Sequence, residues 1–468
     1  MEDDPKLREE CGVLGIYYPG VDVARLTFFG QFALQHRGQE SAGIAVWKDG
    51  AIKLHKGMGL VQQVFHDDDI EALKGSLAIG HNRYSTTGSS ELCNAGPFVL
   101  ETETGPIALS HNGNIVSALS LRSRLEDEGI NFESTTDTEV LIKSLAGSFG
   151  KTWVERIMNT APKWQGAFCL TIIADGALYG VRDPLGIRPL CLGRINDEGW
   201  VIASESSALY TIGANFVRDI EPGEIVQIDD FGVQSFHMTH AEKKQAFCIF
   251  EYIYLARPDS VINGKNVYQI RKRLGEVLAE EYPVEADLVI PVPDSGVPAA
   301  IGYAERSGIP YGQGLIKNRY IGRTFIQPDQ KLREQGISLK LNALKHEIEG
   351  KRLVLVDDSI VRGNTTNRIV ALLKKSGAKE VHLRISAPPI VSPCYFGLDI
   401  AKKSELIAAR LSVDEIQAKT GAESLGYISL DGLVRATGLP KQDFCLGCFT
   451  GSYPIPIQME MDKLILEE

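Results

Sequence analysis

Two hydrophobic patterns divide the chain. From Cys11 onward, strand-length apolar stretches alternate with glycine and Asp-Gly turns. Cys11–Tyr18 reads CGVLGIYY, an alternating apolar strand, and Phe168–Ala174, Ala177–Val181, Trp200–Ala203 and Glu224–Ile228 continue the habit. Past residue 245 the pattern changes. A helical run passes through Ile270, Leu274 and Leu278, and Asp287–Pro291 and Leu353–Val356 read as strands buried on both faces. Ile369, Leu372 and Leu373 follow at helical spacing, with Gly377 placed to end the helix. Strand, loop and helix in repeated order predict a doubly wound parallel sheet. The mixed polar stretch from Asp229 to Gln245 has no clear period and is the expected boundary between domains at 11–235 and 236–468.

A chain of 468 residues is too long for one core, which agrees with two domains. Apolar content of 44% and charged content of 23% are those of ordinary globular protein. The apolar runs fall far short of the roughly 20 residues of a membrane span. The first ten residues, MEDDPKLREE, are acidic and lack the apolar core of a secretory signal. A net charge of −11 argues against nonspecific nucleic-acid binding. Eight cysteines in such a chain suggest reduced thiols or metal ligands rather than a disulfide framework.

The densest chemistry lies at Arg352–Thr366, RLVLVDDSIVRGNTT. The apolar run stops at Asp357 and Asp358, which a buried strand would not tolerate, so they belong at the carboxyl end of the sheet. Ser359, Arg362, Gly363, Asn364, Thr365 and Thr366 then lead into a helix N-terminus, offering N–H groups and hydroxyls to a phosphate. Carboxylates beside such a cradle suit sugar hydroxyls or a hydrated Mg²⁺; a capped Asp-rich turn is the plain alternative. A second loop, PVPDSGVPAA, follows Asp287–Pro291, and Gly296 there would let the backbone approach a ligand closely. The two loops together resemble those of type I phosphoribosyltransferases. The resemblance implies that Asp357 and Asp358 hold the ribose of phosphoribosyl pyrophosphate (PRPP). Ser359 and Arg362–Thr366 would hold its 5′-phosphate, and Asp294, Ser295 and Gly296 the pyrophosphate. Ser295, Asp357 and Asp358 would bind Mg²⁺. The basic stretch KNRYIGRTFIQPDQKLREQGISLKLN would be a lid, with Lys317, Arg319 and Arg323 neutralising phosphate.

In the first half, a lone cysteine such as Cys11 is ordinarily a small core residue. Freed of residues 1–10, it would carry an α-amine whose pKa near ~8 suits a base at neutral pH. LQHRGQESAGI, GHNRYSTTG, SHNGNI and TTDTEV resemble, in order, the motifs of class II glutamine amidotransferases, N-terminal-nucleophile hydrolases of αββα fold. The resemblance implies a propeptide at 1–10, Cys11 as nucleophile, and Asn112 with the Gly113 N–H as oxyanion hole. Arg83 would bind the glutamine α-carboxylate and Asp137 its α-ammonium. DPLGIRPL and ASESSAL are expected to be structural.

Taken together, Cys11 to Cys448 resembles the glutamine PRPP amidotransferase family. That implies 5-phosphoribosylamine, glutamate and pyrophosphate from PRPP and glutamine, the committed step of purine synthesis, with ammonia passing between domains. It also implies a cytoplasmic homotetramer inhibited by purine nucleotides, without nucleic-acid or membrane partners. Cys248, Cys394, Cys445 and Cys448 match the ligands of a [4Fe–4S] cluster in one subgroup, zinc being the alternative. Cys93, Cys169 and Cys191 are expected to be packing thiols. A glucosamine-6-phosphate synthase would lack DDSIVRG, and a PRPP-sensing repressor would need neither Cys11 nor HNGN.

Overall fold

The computed structural model describes residues 11–85, 87–238, 245–318, 341–400, 402–457 and 466–467. Two antiparallel sheets face each other in the first half. One has seven strands in the order Asn215–Asp219, Cys191–Ile195, Gly199–Ala203, Gly12–Tyr17, Leu77–Arg83, Ser41–Lys48 and Ala51–Met58. The other has six, in the order Gly232–His237, Glu224–Asp229, Ala177–Arg182, Gly166–Ala174, Gly105–Ile115 and Phe98–Thr102. The strand Gly12–Tyr17 shows why the layers stack. Val13 and Tyr17 enter the core between the sheets with Ile79, Cys169, Leu178 and Ile202. Leu14 and Ile16 point the other way, into a cluster with Ala24, Ala33 and Leu34 under the helix Ala24–Ala33. All six of its residues are buried, so it carries no polar face, unlike the alternating strand that the sequence suggests. The helices Asp137–Ala146 and Trp153–Thr160 cover the outer face of the second sheet. The result is the expected αββα sandwich.

The second half holds four parallel strands in the order Leu288–Pro291, Arg352–Asp357, Glu380–Ile385 and Ser424–Tyr427. Tyr311 bridges Val289 in parallel on its free side, with Val289 N–H donating to Pro310 O and Gly312 N–H to Val289 O. Counted with that segment, strand order reverses between Leu288–Pro291 and Arg352–Asp357, and the sheet is doubly wound. Ligands bind at such a reversal, beyond the strands' carboxyl ends.

The polar stretch 229–245 is not all linker. Gly232–His237 pairs along its length with Glu224–Asp229, so the first domain's sheet continues beyond residue 235. No helix among the described residues is long and apolar enough to cross a membrane. Cys169 and Cys191 are buried packing thiols, whereas Cys93 is exposed, contrary to expectation, because its short helical turn lies at the surface beside Glu91.

Candidate active sites

Gly12 pairs with Asn82, which sets Cys11 next to Arg83 at the end of the neighbouring strand. A narrow cleft is lined there by Cys11, His81, Arg83, Tyr84, Thr87, His111, Gly113, Thr136, Asp137 and Thr138. The Cys11 thiol donates to Tyr84 O at 3.3 Å. Burial pushes that thiol up to about 12, against the pull of the Tyr84 contact and the Arg83 charge. A nucleophile so placed needs a base beside it.

Asn112 is completely buried on the strand Gly105–Ile115, and both polar atoms of its amide lack a hydrogen-bond partner among the described residues. An unmet buried amide is costly and calls for a partner arriving from outside. Gly113 has φ 144°, and a Cβ there would come within 2.0 Å of Ala167 O, so only glycine fits. Asp137 opens the helix Asp137–Ala146, capped by the Thr136 hydroxyl. Its carboxylate accepts from the Ile115 N–H at 3.0 Å and lies 3.6 Å from His111 Nδ1. Burial would raise this carboxyl, but His111, the Ile115 N–H and Arg83 outweigh it and hold it below the usual range. Asp137 is therefore an anion facing the cleft. Arg83 donates to Thr87 O at 3.0 Å and Ser89 O at 3.1 Å and lies 3.7 Å from Glu40, so backbone carbonyls aim its guanidinium.

Sequence reasoning passed over the two histidines. His81 shares Arg83's face of its strand, two residues away, and alternation could have found it. Its Nε2 bonds His111 O at 3.0 Å. Burial, helped by the Arg83 charge, lowers it to about 3 and keeps it neutral.

The second site forms where strand order reverses. Asp357 ends its strand and, with Asp358, is only 3% exposed. The pair stands at the carboxyl end of the sheet, as expected, and is buried there because local donors take up its charge. The Asp358 N–H donates to Asp357 Oδ1 at 3.0 Å, and the Ser359 hydroxyl to Asp358 Oδ1 at 2.9 Å. Gly363, at φ 82°, caps the helix Asn364–Lys375, so Asn364, Thr365 and Thr366 form its first turn. The enclosed Thr365 hydroxyl lacks a partner among the described residues. The Arg362 guanidinium, in the same loop, is held by Glu405.

The Asp294–Gly296 loop leaves the adjacent strand. Gly296 also packs tightly on the neighbouring strand, where a Cβ would lie 2.5 Å from Val356 O. Lys317 reaches Asp294 Oδ2 at 2.9 Å. Residues 319–340 of the expected lid, Arg319 and Arg323 among them, lie outside the described residues, as do residues 1–10.

The four remaining cysteines are brought near one another. Cys248 and Cys445 are partners in a two-stranded parallel ladder. Burial pushes Cys445 up to about 11, and Cys394 adds to the shift; Cys248, Cys445 and Cys394 all act on Cys448. Among the described residues, no three His, Cys, Asp or Glu side chains form a group placed for one metal ion.

The two domains meet at a seam. Gly397 lies against Gly113, with a built Cβ 2.9 Å from the Gly113 carbonyl carbon, and the Tyr84 hydroxyl donates to Asp399 at 3.1 Å.

A thiol-bearing αββα domain seated on a doubly wound domain with an acidic strand-end pair defines a glutamine amidotransferase joined to a phosphoribosyltransferase. Comparison with known proteins agrees. Residues 81–211 match the glutamine amidotransferase domain family and residues 259–391 the phosphoribosyl transferase domain family. The amidophosphoribosyltransferase of Synechococcus elongatus is 50% identical over 474 residues, covering 100% of this chain and 96% of the relative. That of Archaeoglobus fulgidus is 51% identical over 459 residues, covering 96% and 99%. The solved glutamine PRPP amidotransferase of B. subtilis, complexed with ADP and GMP, superposes with a TM-score of 0.91 at 44% identity, covering 97% and 99%. The chain belongs to the amidophosphoribosyltransferase family, glutamine-dependent enzymes of the first step of purine biosynthesis.

Proposed function

We infer that Cys11, once the preceding propeptide is removed, attacks the side-chain amide carbon of glutamine. Its own α-amine takes the thiol proton and returns it to the leaving nitrogen, releasing ammonia. Water then cleaves the thioester to glutamate. The Asn112 amide nitrogen and Gly113 N–H donate to the developing oxyanion, which gives the unmet Asn112 Nδ2 a partner. Arg83 and Asp137 fix the substrate's carboxylate and ammonium. At the second site, Asp357 and Asp358 hold the ribose, while Ser359 and Arg362–Thr366 hold the 5′-phosphate. Arg362 braces that loop through Glu405. Asp294, Ser295 and Gly296 take the pyrophosphate, with Lys317, Arg319 and Arg323 as cations around it. Ammonia then displaces pyrophosphate from C1.

The paired carboxylates and the Ser295 hydroxyl are hard oxygen donors that suit Mg²⁺, which would neutralise pyrophosphate when bound. Cys248, Cys394, Cys445 and Cys448 offer a soft, partly buried donor set, and the Phe396 N–H donates to Cys394 Sγ at 3.4 Å, as a thiolate ligand favours. That set fits a [4Fe–4S] cluster of structural role. The domains are divided between Met238 and Ala246, and the protein is a cytoplasmic homotetramer restrained by purine nucleotides.

The observation that carries this reading is the seam. The proposed oxyanion hole abuts the transferase segment at Gly397, so ammonia is released at the domain boundary. Cys11→Ser tests it. The variant should lose glutamine-dependent synthesis yet still form phosphoribosylamine and pyrophosphate from PRPP and added ammonia. Glutamine-dependent synthesis at the unaltered rate, or loss of both reactions, would overturn it.

A further inference from the structure

Asn94 ends the short helical turn Leu92–Asn94 and is 1% exposed. Its amide fastens one loop to another. Oδ1 accepts from the Thr135 N–H at 2.9 Å, while Nδ2 donates to Ser89 O and to the Thr135 hydroxyl, each at 2.9 Å. A backbone N–H can only donate and a backbone carbonyl can only accept, so the partners fix the orientation of the amide.

Each loop leads to a residue that faces the cleft. Ser89 O, which Asn94 holds, also receives Arg83 Nη1 at 3.1 Å. Thr135 is followed by Thr136, whose hydroxyl caps the helix that Asp137 opens. Gly88, at φ 80°, packs directly on the second loop, where a Cβ would lie 2.6 Å from Thr135 O. Hydrogen bonds therefore run from the Arg83 guanidinium through Ser89 O and the Asn94 amide to Thr135, two residues before Asp137. The same two loops are clipped from outside. Glu467 Oε1 accepts from the Ser89 N–H at 2.7 Å and from the Thr135 hydroxyl at 3.2 Å. The adjoining Leu466 is 5% exposed and belongs to the core cluster that holds Val140 and Leu141 of the helix Asp137–Ala146.

The α-carbon of an amino acid carries its carboxylate and its ammonium at a fixed separation. Two receptors serve both groups at once only if their own separation is held to match. We propose that Asn94, braced by Glu467, is a positioning residue that sets the separation of Arg83 and Asp137. It thereby makes the glutaminase site selective for a substrate bearing both α groups. The proposal rests on the roles given above to Arg83 and Asp137. The alternative is a fastening that only stiffens the loop.

The full-length protein is assayed on glutamine and on glutaramate, which is glutamine without its α-amino group. Asn94→Ala cuts the inner clip. It should raise KM for glutamine about tenfold, with kcat changed less than threefold. Glutaramate needs only Arg83, which Thr87 O still aims at 3.0 Å, so its kcat/KM should change less than threefold. The preference for glutamine, taken as the ratio of the two kcat/KM values, should fall about tenfold. Glu467 is exposed, so Glu467→Ala leaves the core intact. It should move KM and preference the same way by about threefold. Synthesis from PRPP and added ammonia should stay within twofold in both variants. Parent-level KM and preference in both, or an equal loss on the two substrates, would overturn the proposal. Asp137→Asn tests the underlying reading separately: a parent-level preference in that variant would mean that Asp137 does not meet the ammonium, whatever Asn94 does.

Discussion

Asn112 and His81 illustrate two uses of a buried polar side chain. The Asn112 amide is fully enclosed without a partner among the described residues, a condition that costs about 1–3 kcal/mol. Its retention makes sense when the missing partner is a transient oxyanion, against which such a donor contributes roughly 10²–10³ in kcat. His81 differs, for it is buried neutral. Folding holds its imidazole near 3, while the unfolded chain takes up a proton below about 6.5. A basic group with a depressed folded value favours unfolding as pH falls through that window. Between pH 7 and pH 5 this one residue should cost about 2 kcal/mol of stability. Urea titrations at the two pH values check it. His81→Gln should flatten the difference by that amount, and an equally steep loss in the variant would mean that His81 is charged or hydrated in the folded state.

At the scale of elements, what was legible followed burial. The runs at Leu353–Val356 and Asp287–Pro291 announce central parallel strands because both faces are covered, and the structure places them side by side. Four ordered motifs announced the cleft residues Cys11, Arg83, Gly113 and Asp137. The misses have physical causes. Gly232–His237 escaped because an edge strand paired on one side, with half-exposed and exposed residues, shows no apolar face. Asn94 escaped because its partner Thr135 lies 41 residues away in the chain. Gly296 has a packing role that the sequence did not reveal, and that role yields a prediction. A methyl group 2.5 Å from Val356 O must push the Asp294–Gly296 loop off its neighbouring strand. Gly296→Ala should raise KM for PRPP at least tenfold while glutamine hydrolysis measured without PRPP stays within twofold. Unchanged PRPP kinetics would show that the loop adjusts without moving its ligands.

Across the whole molecule, the two domains are joined by buried charge as well as by the seam at Gly397. Arg37 donates to Glu205 and to Glu251, each at 2.5 Å, and Arg188 lies 3.7 Å from Glu251. From the second domain, the Arg257 N–H at 2.9 Å and the Ser260 hydroxyl at 2.7 Å close on Glu205, and His36 approaches it at 2.7 Å. Both carboxylates are completely buried. Removing one member of such a network strands the others, at a cost of about 3–5 kcal/mol. Glu205→Gln should lower the denaturant stability by that amount, which a buried apolar substitution outside the seam need not do. Its dependence on pH separates it from His81. Burial would raise the Glu205 carboxyl, but His36, Arg37 and Ser260 outweigh this and hold it well below the usual range. A depressed carboxyl contributes stability above its unfolded value, near 4.3, and loses it only as pH falls through the folded value. The deficit of Glu205→Gln should therefore be the same at pH 7 and pH 5, within the error of the titrations. A deficit that shrank by more than half on going to pH 5 would mean that Glu205 already takes up a proton there, and that water reaches the seam between the domains.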